Sequence, residues 1–143
     1  MSEQPEVPLE DEEPPRRYFI DVESYQLQAR SFITLASSRL CPEPHDKKTL
    51  KSEADILNTL KQCCSKKDDF MQPNAPLLEM VFRVFLANGN QPLTLEQLQE
   101  RLQRIASITS DTRDFSSDKL RRMIEADRYY GFGVALDDKA LGD

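Results

Sequence analysis

Apolar residues recur three and four positions apart in five separate stretches of this chain, and this spacing is typical of helices with one buried face. The most apolar stretch is 76–88, where Pro76 suits a helix start, Phe82 and Phe85 belong to the core, and Gly89 suits a left-handed cap. The other four predicted helices span 22–40, 52–64, 95–105 and 116–127. Only four glycines and no tryptophan argue against β-sandwiches and barrels. The sequence therefore predicts a mostly α fold.

Local signals mark where several of these elements begin and end. Ser52 and Ser116 suit helix N-caps, and Thr94 with Gln97 forms a capping box. Residues 129–136, YYGFGVAL, are aromatic and β-branched with two glycines, which predicts a strand or a tight two-stranded β-ribbon.

Charge divides the chain into a mildly basic body and acidic ends. Residues 1–15 hold six carboxylates, four prolines and no base, whereas residues 16–136 hold 18 of the 19 bases and a formal charge of +2. The predicted organisation lists four segments: a disordered acidic tail (1–17), an N-terminal helical segment (18–72), a C-terminal half (73–136) and a flexible C-terminus (137–143).

The expected cellular compartment is inferred from targeting and membrane features that the sequence lacks. No apolar run approaches the length of a membrane span, and the acidic N-terminus does not read as a signal peptide. Three cysteines without export features suit a reducing setting, so we expect a cytoplasmic protein with no membrane contact.

The C-terminal half carries a resemblance to a known module. Its order over 75–136 is helix, short extended segment, helix, loop, helix and β-ribbon, with PLTLEQL following a helix that ends in NGNQ. This half resembles the winged-helix modules of HARE-HTH type, found on bacterial RNA polymerase delta subunits and on restriction or chromatin factors. The whole chain is similar to a bacterial family with such a half. The resemblance implies a wing, which between Tyr130 and Val134 would be shorter than is usual for the module, and a third helix, 117–128, able to enter a DNA groove.

The 117–128 helix carries the residues that would contact DNA, namely Lys119, Arg121, Arg122 and Arg128. The same helix places Asp118 four residues before Arg122 and Arg121 four residues before Glu125, so pairing within the helix is the competing interpretation. A body of only +2 gives DNA binding weak support. We therefore expect a protein partner rather than nucleic acid.

Four soft metal ligands fall in one short window: Cys41, His45, Cys63 and Cys64. They suit a Cys₃His zinc site, but adjacent cysteines point about 100° apart on a helix, so both can bind one ion only if the helix ends there. Both cysteines also continue an apolar helix face, which favours reduced core thiols, and nearby lysines leave a reactive thiol open. The preferred interpretation is core thiols with no cofactor, and zinc is the alternative.

The function predicted from the sequence is a non-enzymatic interaction or regulatory module. It would bind another protein through the winged-helix-like half, and a link to transcription is what the resemblance implies. A single histidine and the absence of phosphate-loop and zinc-protease motifs predict no catalytic residue and no small-molecule substrate. The alternatives are DNA binding through 117–128 and a zinc-stapled structural adaptor.

Overall fold

The computed structural model describes five ranges of the chain: 16–41, 52–67, 70–71, 75–109 and 111–136. The predictions for residues 1–15 and 137–143, and for His45, lie outside the described residues.

The described residues are mostly helical, which confirms the predicted class in its broad form. Six helices are present in this part of the chain: α1 (Val22–Leu27), α2 (Phe32–Ser37), α3 (Glu53–Gln62), α4 (Leu77–Ala87), α5 (Leu95–Thr109) and α6 (Ser117–Ala126). A 3₁₀ turn, Cys64–Lys66, follows α3. The strands are β1 (Arg16–Ile20), β2 (Leu93–Thr94) and β3 (Phe132–Leu136).

The three strands form one antiparallel sheet in the order β2-β1-β3. Tyr18 lies opposite both Leu93 and Val134, and Ile20 lies opposite Phe132. Tyr18 and Ile20 are buried on one face of the sheet. Residues 16–20 thus form the central strand, although the sequence-based organisation assigned Arg16 and Arg17 to the tail and 18–20 to the N-terminal helical segment.

Of the two alternatives predicted for 129–136, the single strand is confirmed and the two-stranded ribbon is wrong. Residues 132–136 form a single strand whose partner is β1, so there is no wing between Tyr130 and Val134. The chain reverses before β3 because the Asp127 carboxylate accepts the backbone N–H groups of Tyr129, Tyr130 and Gly131. Gly131 then adopts φ +75°, which glycine tolerates.

The continuous helix predicted over 22–40 is interrupted. The chain breaks between α1 and α2, where Ala29 has φ +56° and the N–H of Arg30 donates to the carbonyl of Tyr25 at 2.8 Å. Ser31 then caps α2 by accepting the N–H of Thr34. The apolar spacing had identified the buried face, since Tyr25, Phe32 and Ala36 are all buried, but not the break.

The remaining helix boundaries follow their local signals. Ser52 accepts the N–H of Asp55, Ser116 accepts that of Lys119, and Thr94 exchanges two hydrogen bonds with Gln97. These contacts confirm the predicted caps. Helix α4 is central to the core: Phe82 and Phe85 are fully buried, as predicted.

The end of α4 is joined to the sheet through one side chain. Gly89 has φ +74°, as predicted for a left-handed cap, and Asn90 follows with φ +62°. The Asn90 amide accepts the N–H of Ile20 at 2.8 Å and donates to the carbonyl of Ile20 at 2.9 Å. This pair of hydrogen bonds fixes β1 against the end of α4.

Candidate functional site

The three cysteines lie together, although they come from two separate segments. Their sulfur atoms are all within 4.8 Å of one another. Cys41 Sγ is 3.0 Å from Cys64 Sγ and 3.7 Å from Cys63 Sγ. We call Cys41, Cys63 and Cys64 the thiol cluster. The fourth residue of the predicted set, His45, lies outside the described residues.

The thiol cluster is held by the ends of helices. Helix α3 ends at Gln62, Cys63 is its C-cap, and Cys64 begins the 3₁₀ turn. The condition set by the sequence for two adjacent cysteines to face one point is therefore met. Cys64 is buried, and burial raises the pKa of its thiol to about 12, against a backbone hydrogen bond from Cys41 that lowers it.

The predicted DNA-contact residues lie on and just after α6, and two of them are engaged in ion pairs. Arg121 lies 3.0 Å from one carboxylate oxygen of Asp118, and Arg122 lies 3.2 Å from the other. Arg121 also approaches Glu125 at 3.9 Å. Lys119 is half-buried, and Arg128, which follows α6, is exposed.

Glu125 also joins α6 to the sheet. Its Oε2 accepts a hydrogen bond from the Tyr18 hydroxyl at 2.6 Å and another from Arg16 at 2.9 Å. The hydrogen bond from Tyr18 is the main reason that the pKa of Glu125 lies below its usual range. The carboxylate face of α6 thus has a structural role.

A half-buried polar cluster around Glu79 was not anticipated from the sequence. Glu79 lies 2.5 Å from Arg39 and 2.7 Å from Arg83, and it accepts a hydrogen bond from the Tyr130 hydroxyl at 2.9 Å. Burial alone would raise the pKa of Glu79, but these hydrogen bonds outweigh it and hold the pKa below the ordinary value. Only the spacing of Glu79 and Arg83, four residues apart on α4, was visible beforehand.

The arrangement of this Glu79 cluster suits a structural role better than proton transfer. A carboxylate with a lowered pKa and two guanidinium partners is a weak base, and its lone pairs are already used. The cluster links the segment after α2, helix α4 and the turn before β3.

An open groove of about 730 Å³ lies between α1 and α3. Leu27, on α1, is 89% exposed, the highest value among the large apolar side chains of the described residues. The apolar residues of the groove are Val22, Leu27, Ala54 and Leu57.

The polar residues of the same groove are acidic or neutral. They are Glu23 and Gln26 from α1 and Glu53 from α3. No lysine or arginine is among the described residues that line it, and neither glutamate forms an ion pair with another described residue. We call this feature the acidic groove.

Comparison of the chain with protein-family models, with curated proteins and with solved structures found no match. None of the helices in the described ranges has the length and apolar character needed to cross a membrane.

Proposed function

We propose that this chain is a non-enzymatic protein-binding module and that the acidic groove is its binding surface. The observation that carries the proposal is Leu27, an apolar side chain that is 89% exposed beside a concave surface. Single exposed apolar residues are common on proteins, but this one continues into Val22 and Leu57 within the same groove. Such a surface suits the apolar side chains of a partner.

The partner that fits is an amphipathic segment with basic side chains beside its apolar ones. Glu23 and Glu53 supply one carboxylate from each helix, and the described lining contains no base. Positive charges on the partner would therefore meet complementary charges at the edge of the apolar contact. A helix laid into a hydrophobic groove is one established form of such recognition.

We also propose that 73–136 is a winged-helix-like half beside this binding surface, and the order of its elements supports this. Residues 77–136 run as helix, strand, helix, helix and strand, and β1 supplies the neighbouring strand that a hairpin would otherwise provide. In this arrangement the module keeps the three-helix unit and uses a surface of the N-terminal helices for binding.

DNA contact through α6 is the alternative function. The ion pairs within that helix make it less favoured than protein binding. A phosphate that binds Arg121 or Arg122 must compete with Asp118 and would be repelled by it. Lys119 and Arg128 are the predicted contact residues outside those pairs.

A pair of synthetic peptides tests the proposal. Both are amphipathic helices of about 15 residues with leucines on one face; one carries lysine and arginine on its other faces, and the other carries glutamate at those positions. Titration calorimetry of the full chain is expected to show binding of the basic peptide only. Amide signals of α1 and α3 are expected to shift in nuclear magnetic resonance spectra.

Surface variants locate the binding. Leu27→Ser is expected to lower the affinity for the basic peptide about tenfold, because it removes most of the leucine contact that the peptide would bury. Glu23→Gln combined with Glu53→Gln is expected to weaken binding and reduce its salt dependence. Ile108→Ser is the matched control, since Ile108 is 78% exposed on α5, outside the groove.

Three outcomes would contradict the proposal. They are equal binding of the acidic peptide, an equal loss on Ile108→Ser, and self-association of the chain that Leu27→Ser abolishes. The last would identify a second copy of the chain as the occupant of the groove.

A further inference from the structure

The spacing of the thiol cluster is close to that of a metal site. In a tetrahedral zinc site with Zn–S bonds of about 2.3 Å, two sulfurs lie about 3.8 Å apart. The sulfurs of Cys41 and Cys63 lie 3.7 Å apart and those of Cys41 and Cys64 lie 3.0 Å apart, so a bound cation would require only the second pair to separate. All three sulfurs fall within 4.8 Å of one another. A disulfide would use two of these sulfurs, whereas a single cation uses all three.

The backbone explains how adjacent cysteines face one point. Helix α3 stops at Gln62, and Cys63 adopts φ −119° and ψ −63° before the 3₁₀ turn begins. The change from α-helix to 3₁₀ turn alters the angle between the two side chains, and both approach Cys41. In an uninterrupted helix they would diverge by about 100°.

Two further features would stabilise the thiolates that a bound cation requires at this place. The backbone N–H of Cys41 donates to Cys64 Sγ at 3.0 Å, the kind of hydrogen bond that stabilises a metal-bound sulfur. Three thiolates around one Zn²⁺ leave a net charge of −1, and three lysines lie within three residues of Cys64 in the chain. They are Lys61, Lys66 and Lys67.

We propose that Cys41, Cys63 and Cys64 bind one Zn²⁺ as thiolates. Each sulfur gives up its proton to solvent and donates an electron pair to the cation, so no oxidation occurs. The ion links the segment after α2 to the end of α3. This role is structural, in keeping with sulfur-rich zinc sites elsewhere. The sequence-based prediction of His45 as a fourth ligand stays a prediction, and the proposal rests on the three sulfurs.

Metal content and spectroscopy of the untagged full chain test the site directly. The protein is to be expressed in zinc-supplemented medium and purified in the presence of a reductant. Elemental analysis is then expected to find one zinc per chain. Replacement of zinc by Co²⁺ is expected to give thiolate-to-cobalt charge-transfer absorption and the intense visible bands of tetrahedral cobalt. Chelation of the metal is expected to lower the thermal midpoint by about 5 °C or more.

Variants at the less buried cysteines assign the ligands. Cys41→Ser and Cys63→Ser are each expected to lose more than half of the bound zinc and to weaken the cobalt charge-transfer band. Gln62→Ala is the matched control, because Gln62 is the exposed last residue of α3 and carries neither a charge nor a sulfur. It is expected to retain one zinc. The cobalt spectrum of the unaltered chain keeps the test valid if a serine variant fails to fold.

The proposal is overturned if the unaltered chain contains no stoichiometric zinc and gives no cobalt charge-transfer band. It is also overturned if the serine variants retain full zinc, or if mass spectrometry of the reductant-treated protein finds a Cys41–Cys64 disulfide in place of metal.

Discussion

Glu79 is the residue at which burial and charge pairing oppose each other most directly. Its side chain is only 14% exposed, yet its pKa lies below the ordinary value, because Arg39, Arg83 and Tyr130 all donate to it. Removal of the carboxylate leaves two half-buried guanidinium groups without their anion, which is costly in a partly desolvated site.

We expect Glu79→Gln to lower the free energy of unfolding by about 2 kcal/mol at neutral pH. Since the pKa of Glu79 is lower in the folded chain than in the unfolded one, its contribution is full above the unfolded pKa. That contribution is lost as the pH falls through the folded pKa. The difference between the two proteins should therefore be constant from pH 8 to pH 6 and should shrink below about pH 4.

Urea unfolding at a series of pH values measures this difference. Glu100→Gln is a suitable control, because Glu100 is 71% exposed in a pair with Arg104 at 3.5 Å on α5. If Glu79→Gln behaved like Glu100→Gln, or if its deficit were unchanged in acid, the structural role of the Glu79 carboxylate would be refuted.

At the scale of elements, the connection between α4 and β1 depends on Asn90. Its side chain makes both hydrogen bonds to the backbone of Ile20, and its own backbone is left-handed at φ +62°. Asparagine is among the few residues other than glycine that tolerate this conformation, so the residue satisfies two separate requirements.

Two substitutions separate these requirements. Asn90→Gly keeps the left-handed backbone but removes the amide, and it should cost about 1–2 kcal/mol. Asn90→Ala also strains the backbone and should cost about 1 kcal/mol more. Thermal or urea unfolding measures the cost, and amide exchange at Ile20 should accelerate in both variants.

Asn58→Ala is the control for these two variants, since Asn58 is exposed on α3. It should change stability little. Equal stability of the glycine and alanine variants would mean that the backbone conformation of residue 90 contributes nothing.

At the scale of the whole molecule, charge is distributed so that the acidic ends oppose a mildly basic body. The six carboxylates of residues 1–15 exceed the formal charge of +2 on residues 16–136. Any attraction of the body for nucleic acid is therefore reduced in the full chain.

We expect only weak, salt-sensitive association of the full chain with duplex DNA. Deletion of 1–15 should strengthen it, and Arg121→Ala with Arg122→Ala should weaken it, because both are partly or fully exposed on α6. The log–log slope against salt should be about −0.9 per phosphate contact. Titration at low and at physiological salt measures it. Tight, sequence-dependent binding at physiological salt would favour the DNA alternative over a protein partner.

Local sequence signals determined much of the helical structure. Helices α3, α5 and α6 begin directly after the residues predicted to cap them, and α4 ends close to Gly89, because a cap acts within a few residues. Helix α5 runs to Thr109, four residues beyond its predicted end. The burial of Phe82 and Phe85 and the left-handed Gly89 followed in the same way.

Contacts between distant segments decided the rest. The pairing of β1 with β3 joins opposite ends of the described chain, and strand periodicity does not specify a partner. The break between α1 and α2 places Arg30 within 4.9 Å of the Tyr25 ring and 4.8 Å of the Tyr129 ring. The sequence supplied the ligand types of the thiol cluster, but only the end of α3 and its packing against α2 brought the three sulfurs together. Apolar spacing records which face of an element is buried, and the tertiary fold determines what that face meets.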